Sequence, residues 1–163
     1  MISKTFQIEI TGIVQGVGFR PFIYKLASNS KLHGDVCNTT SGVIIRINSA
    51  DENEVNDFIL KIKSQKPEPA VIEDIKVRKI ANLPFNDFKI IKSKPSEEKF
   101  QLVSPDLATC SKCVRDINNN KNKRRFNYAF TNCTNCGPRF TIIKKLPYDR
   151  QNTTMADFLM CPE

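Results

Sequence analysis

The stretch Thr5-Phe6-Gln7-Ile8-Glu9-Ile10-Thr11-Gly12-Ile13-Val14-Gln15-Gly16-Val17-Gly18-Phe19-Arg20-Pro21-Phe22 contains the change of period on which the fold turns. Phe6, Ile8 and Ile10 are apolar and the residues between them are polar, so a half-buried strand is predicted. Residues 12–20 hold three glycines and read as a loop. Pro21 suits the first turn of a helix, where its missing N–H costs nothing. Phe22, Ile23, Leu26 and Ala27 then recur with helical spacing, and Gly34 follows the expected helix end.

Working outward, residues 36–38 are short and strand-like, residues 39–42 read as a turn, and residues 43–47 (Val-Ile-Ile-Arg-Ile) complete a hairpin. Ser49 with Glu52, or Asp51 with Glu54, offers a capping box for a second helix. Val55, Phe58, Ile59 and Ile62 form its apolar face, and Pro67 and Pro69 stop it. Residues 71–80 and 88–92 are the last strands. The order β-α-β-β-α-β predicts an α+β, ferredoxin-like domain: an antiparallel sheet with two helices on one face. Residues 1–92 form this unit, and residues 93–105, polar around Pro95, read as a linker. Residues 106–163 form a second, small module in which residues 153–160 are expected to be a short helix.

The chain has 163 residues and a net charge of +8. Residues 1–92 carry 13 Lys/Arg against 10 Asp/Glu, and residues 93–163 carry 12 against 7. A basic balance of this size favours anionic partners without requiring nucleic acid. No apolar run is long enough to span a membrane. The first residues lack the apolar core of a secretory signal. A reducing, cytoplasmic setting is expected, so the six cysteines read as ligands or free thiols rather than disulfides.

Gln15-Gly16-Val17-Gly18-Phe19-Arg20 lies between a strand and a helix N-terminus. Consecutive backbone N–H groups there can form an anion-binding nest, and Arg20 can add a guanidinium fork. It is not a dinucleotide fingerprint, which would need Gly at Pro21, nor a P-loop, which would need Gly-Lys-Ser/Thr. Taken alone, it is also consistent with a tight turn bearing a surface arginine. Asn38 alone reads as a turn residue at a strand end, Cys37 as a packed thiol, and His33 as a solvated residue after the helix. One histidine leaves no His-rich metal centre.

Cys110-Ser111-Lys112-Cys113 and Cys133-Thr134-Asn135-Cys136 are two C-x-x-C pairs separated by nineteen residues, the pattern of a structural four-cysteine zinc site in a zinc-ribbon-like module. The rival reading, a thioredoxin-like redox pair, needs a C-x-x-C opening a helix inside a βαβ unit. Arg124, Arg125, Phe126, Tyr128, Phe130, Arg139 and Phe140 interleave basic and aromatic character. Packed ribbon strands with a solvated edge are expected there rather than a nucleic-acid surface. Cys161 stands as the possible first ligand of a second zinc site that the chain does not complete, so the sequence reads as a fragment.

The segment Gly12-Ile13-Val14-Gln15-Gly16-Val17-Gly18-Phe19-Arg20-Pro21-Phe22 closely resembles the acylphosphatase signature. Gly34-Asp35-Val36-Cys37-Asn38 with Gly42-Val43 resembles that family's second motif. The resemblance implies hydrolysis of an acyl phosphate without a metal ion. Arg20 would bind the phosphoryl group together with the backbone N–H groups of Gln15, Gly16, Val17, Gly18, Phe19 and Arg20. Asn38 would orient the attacking water.

Three further stretches extend the resemblance over nearly the whole chain: Leu107-Ala108-Thr109-Cys110; Arg124-Arg125-Phe126 through Thr131-Asn132-Cys133-Thr134-Asn135-Cys136-Gly137-Pro138-Arg139-Phe140-Thr141; and Leu146-Pro147-Tyr148-Asp149-Arg150. With the preceding domain they resemble the start of the HypF family, carbamoyltransferases that mature [NiFe] hydrogenases. This resemblance implies carbamoyl phosphate as substrate, structural zinc, and ATP used only by downstream domains. It implies HypE as the acceptor of the carbamoyl group, which becomes the cyanide ligand. The alternatives are a free-standing acylphosphatase with a zinc-ribbon tail, and a noncatalytic zinc-ribbon binding module.

Overall fold

The computed structural model describes residues 4–93 and 102–159. Strand β1 (Lys4–Ile13) leads through the glycine loop into helix α1 (Phe19–Asn29). β2 (His33–Asn38) and β3 (Val43–Ser49) form the hairpin, α2 (Glu52–Gln65) follows, and β4 (Val71–Ile80) and β5 (Phe88–Ile90) complete the sheet. The strand order is β4-β1-β3-β2-β5. In the β1–β3 register, Phe6, Ile8 and Ile10 stand opposite Ile47, Ile45 and Val43. The apolar members of both strands therefore share one face, and a one-residue slip would turn them all to the other. Ile23 and Leu26 of α1, and Val55, Phe58 and Ile62 of α2, cover that face in a single buried cluster.

The sheet is mixed rather than antiparallel throughout. β5 pairs with β2 in parallel, Gly34 opposite Phe88 and Val36 opposite Ile90, and ends at Ile90, two residues short of expectation. The long connection from β4 brings the chain back to the far edge of the sheet, beside β2. Gly34 is not the helix stop. It lies inside β2, where a Cβ would sit 1.9 Å from the Arg46 carbonyl oxygen. The chain leaves α1 through Ser30 and Lys31, the latter at φ 54°. Neither capping box closes fully: Asp51 caps α2, its carboxylate accepting from the Glu54 N–H at 2.9 Å, while the Glu54 carboxylate accepts from the Ser49 hydroxyl and the Asp51 N–H donates to Ser49. Cys37 is buried, and His33 is exposed at the start of β2.

In the second module, α3 (Ser111–Asn118) starts directly after Cys110. A two-bond bridge between Leu107 and Gly137 holds the two cysteine pairs side by side. The expected ribbon strands do not form among the described residues between α3 and Cys133, where the chain runs in turns. Tyr128, Phe130 and Phe140 are exposed, Phe130 by 79%. The helix expected over 153–160 is also absent from the described part of that range. A short 3-10 turn (Arg150–Asn152) precedes it, and Thr153 is extended, bridging to Ile143. Asn152 diverts the chain by donating its side-chain amide to the Pro147 carbonyl, and its own carbonyl accepts from Lys144 and Lys145. Cys161 lies outside the described residues.

Candidate active site and metal centre

The glycine loop is pinned from below and open above. Val14, Val17 and Phe19 are buried in the core, so Gly16 and Gly18 between them are held half-buried at the surface. Gly16 and Gly18 take left-handed backbone angles, φ 71° and 74°, which glycine adopts without the steric penalty of a Cβ. Gly18 is also the N-cap residue of α1. Among the described residues, the backbone N–H groups of Gly16, Val17, Gly18, Phe19 and Arg20 donate to no protein acceptor. Together with the positive end of α1 they form a cradle for an anion. The Gln15 side chain is already committed. It donates to the carbonyls of Thr39 and Gly42 at 2.7 and 2.8 Å and accepts from the Tyr148 N–H at 2.7 Å.

Arg20 stands in the first turn of α1, where its guanidinium pairs with the Asp149 carboxylate at 2.8 Å. Asn38 ends β2 and is 1% exposed. Its Nδ2 donates to the Tyr148 carbonyl at 3.2 Å, while its Oδ1 is buried with no partner among the described residues. A buried acceptor left unpaired costs about 1–3 kcal/mol, so such an atom calls for a water or ligand. Gly16, Gly18, Arg20 and Asn38 line one cavity of about 340 Å³. The structure thus brings together Arg20, Asn38 and the loop backbone. Of the loop residues 15–20, Val17 does not line the cavity.

The other wall comes from the second module, which residue-by-residue reading did not assign to the site. The ring of Tyr148 lies where a Cβ on Gly16 would fall, 3.2 Å away, and Thr134 similarly faces Gly18. Burial pushes the Tyr148 phenol above its ordinary range. Arg139, 2% exposed, donates its Nε to the Gly16 carbonyl at 3.1 Å. Its backbone N–H donates to Asp106 at 2.7 Å, and that contact, with a second from Thr141, holds the Asp106 carboxyl below the usual carboxylate range. The sequence signal that ties Thr134, Arg139 and Tyr148 to the rest of the chain is their place in the motif stretches 131–141 and 146–150.

Below this wall, Cys110, Cys113, Cys133 and Cys136 converge, all four Sγ atoms lying within 4.8 Å of one another. Adjacent separations are 3.7 Å (Cys110–Cys133), 3.8 Å (Cys133–Cys136) and 3.6 Å (Cys113–Cys136). A Zn–S bond of about 2.3 Å in a tetrahedron gives an S···S edge of about 3.8 Å, so the cluster fits zinc. The backbone N–H of Cys113 brings the Cys110 thiol down to about 7, whereas burial drives Cys113 up. For Cys136, burial opposes ionisation but is outweighed by backbone hydrogen bonds around Cys110 and Cys133. Four thiols so close cannot all ionise without a cation. Although Cys110 does precede a helix, no strand flanks α3, so the redox-pair setting is absent among the described residues.

The acylphosphatase family profile matches residues 6–90, and the HypF finger profile matches residues 109–143. An acylphosphatase of Pseudothermotoga lettingae is 37% identical over 84 residues, which cover 52% of this chain and 93% of that protein. The chain belongs to the acylphosphatase family. Behind its acylphosphatase domain it carries a HypF finger, and it corresponds to the N-terminal part of the HypF proteins. The carbamoyltransferase HypF of Synechocystis sp. is 45% identical over 157 residues, covering 95% of this chain and 20% of the relative. A crystal structure of full-length HypF in the phosphate- and nucleotide-bound form superposes with a TM-score of 0.91 at 44% identity, over 99% of this chain and 21% of that one. This acylphosphatase-family chain therefore spans about a fifth of the length of the HypF relatives it matches. No helix among its described residues is long and apolar enough to cross a membrane.

Proposed function

We propose that the shared cavity hydrolyses an acyl phosphate, and that this substrate is carbamoyl phosphate. The observation that carries the reading is the buried, partnerless Oδ1 of Asn38 lining the same cavity as Arg20 and the open N–H groups of the loop. The phosphoryl oxygens would sit in the loop cradle with Arg20 across them, displacing the Asp149 carboxylate. Oδ1 of Asn38 would accept a hydrogen bond from water and direct its oxygen at phosphorus. The P–O bond to the acyl group breaks, the water proton passes to solvent or phosphate, and carbamate and phosphate leave. A carboxylate-type leaving group needs little protonation, so positioning and charge stabilisation can do most of the work. An amide is too weak a base to deprotonate water, so the role of Asn38 is orientation.

The description of the relatives as carbamoyltransferases supports carbamoyl phosphate and a place at the first step of carbamoyl transfer for hydrogenase cyanide-ligand synthesis. On this reading residues 1–92 are the catalytic domain, ATP acts in parts of the longer proteins, HypE is the eventual partner, and the reaction runs in the cytoplasm. The four-cysteine cluster would hold a structural zinc ion, which closes the second module's fold.

The test is phosphate release from carbamoyl phosphate and from acetyl phosphate by the wild type, Arg20→Ala and Asn38→Ala. Each substitution should lower the rate by about 10²–10³, the usual loss for one oxyanion-binding or positioning group. Equal rates for all three proteins would overturn the assignment. The acylphosphatase relatives favour a second reading, a general acyl phosphatase, which predicts equal turnover of the two substrates.

A further inference from the structure

We infer that Arg139, in the cysteine module, is a positioning residue of the phosphate loop, and that through it the four-cysteine centre sets the loop's affinity for phosphate. The inference rests on the acyl phosphate reading of the site and adds a dependence on metal for a reaction whose chemistry uses none.

The guanidinium of Arg139 is buried, and four of its five N–H groups donate to backbone carbonyls. Nη1 donates to Gly137 at 2.7 Å, and Nη2 donates to Thr134 at 2.6 Å and to Cys133 at 3.4 Å. These acceptors belong to the turn that presents Cys133 and Cys136. Nε reaches across to the Gly16 carbonyl at 3.1 Å. One rigid planar group therefore joins the second cysteine pair to the centre of the glycine loop. In a trans peptide the C=O and the following N–H point in opposite directions. Holding the Gly16 carbonyl against Arg139 consequently fixes the plane of the Gly16–Val17 peptide and directs the Val17 N–H away from Arg139. The cation bonded to that carbonyl also polarises the peptide, making the N–H a stronger donor to an anion.

The same turn braces the loop sterically, with Thr134 packed on Gly18. Two glycines with left-handed angles have little intrinsic preference for one shape, so the shape needs an outside support. The cysteine turn can give that support only while its four sulfurs are drawn together.

The experiment measures inorganic phosphate binding by phosphorus NMR, bound zinc per chain, and kcat and KM for carbamoyl phosphate. It uses the whole chain as wild type, Arg139→Met, Arg139→Lys and Arg20→Ala. The loop binds the phosphoryl group in both ground and transition states, so its loosening appears chiefly in KM. With zinc retained, Arg139→Met should weaken phosphate binding and raise KM by about tenfold, the worth of one hydrogen bond to a charged group, with kcat much less affected. Arg139→Lys, whose ammonium cannot span all four carbonyls, should fall between. Chelating the zinc from the wild type should weaken phosphate binding at least as much, and restoring zinc should reverse it. Unchanged phosphate affinity in a zinc-loaded Arg139 variant, or after chelation, overturns the inference. If Arg20→Ala also leaves phosphate affinity unchanged, the site itself is misassigned; if Arg20→Ala loses it, only the role of Arg139 fails.

Discussion

At the scale of single residues, the cavity holds an internal competitor. Asp149 pairs with Arg20 at 2.8 Å, with both side chains largely covered. On the proposed reading, an incoming phosphoryl group replaces that carboxylate, which already offers the guanidinium a charge-assisted hydrogen bond. Asp149→Ala should therefore tighten inorganic phosphate by roughly tenfold, since a partly screened ion pair is worth about 1 kcal/mol or somewhat more. Calorimetric titration measures it, and weaker binding would mean that Asp149 orients Arg20 rather than competing with the ligand. That Arg20 and Asn38 belong to one place was legible from the sequence because both lie in local motifs, and the two line the same cavity. Arg139, Tyr148 and Asp149 were not, because more than a hundred residues separate them from the loop and nothing in their own periodicity points to it.

At the scale of elements, β2 positions Asn38 and is held from both sides. Gly34 passes so close to β3 that a Cβ would overlap the Arg46 carbonyl. The Arg46 side chain in turn forks onto Asp35 at 2.9 and 2.6 Å. Gly34→Ala should force the β2–β3 pair apart, costing about 1–3 kcal/mol as overpacking does, and should lower the hydrolysis rate by misplacing Asn38. Urea unfolding and phosphate release check the two halves separately. β1, β3 and both long helices were readable from period alone, since each has one apolar face; β2, buried on both faces, has no such period and was read only from residue 36. The parallel pairing of β5 was not, because side-chain alternation is the same in either direction. The turn at Asn152 was missed for a related reason: the apolar spacing suggests a helix, while a side-chain hydrogen bond to Pro147 decides otherwise.

At the scale of the whole molecule, the two modules draw on different sources of stability. The sheet and its helices bury a continuous apolar cluster that includes Phe58, 2% exposed. The second module buries few apolar side chains, Cys113 and Cys136 being its buried hydrophobic members among the described residues. Phe58→Ala should cost the first module about 3–5 kcal/mol, read by urea unfolding. Zinc content should stay at one per chain under native conditions, as read by a chelating dye, because the ligands come from local turns. Loss of zinc alongside loss of the core would mean that the modules fold as one unit. The division was visible in the sequence as a change of texture. The docking of one module over the other's loop was not, because it rests on backbone carbonyls, which every residue carries.

The Gln15 amide gives the junction a polarity. Its nitrogen serves two carbonyls of the β2–β3 turn and its oxygen serves one N–H of the opposite module. Exchanging the nitrogen for a second oxygen, a change of one heavy atom, would set lone pairs against lone pairs at both carbonyls. Inverting the amide would break all three bonds at once. Hairpin, loop and cover are thereby keyed to one another in a single sense, so that seating the cover correctly also tells the molecule which way the hairpin bearing Asn38 must face.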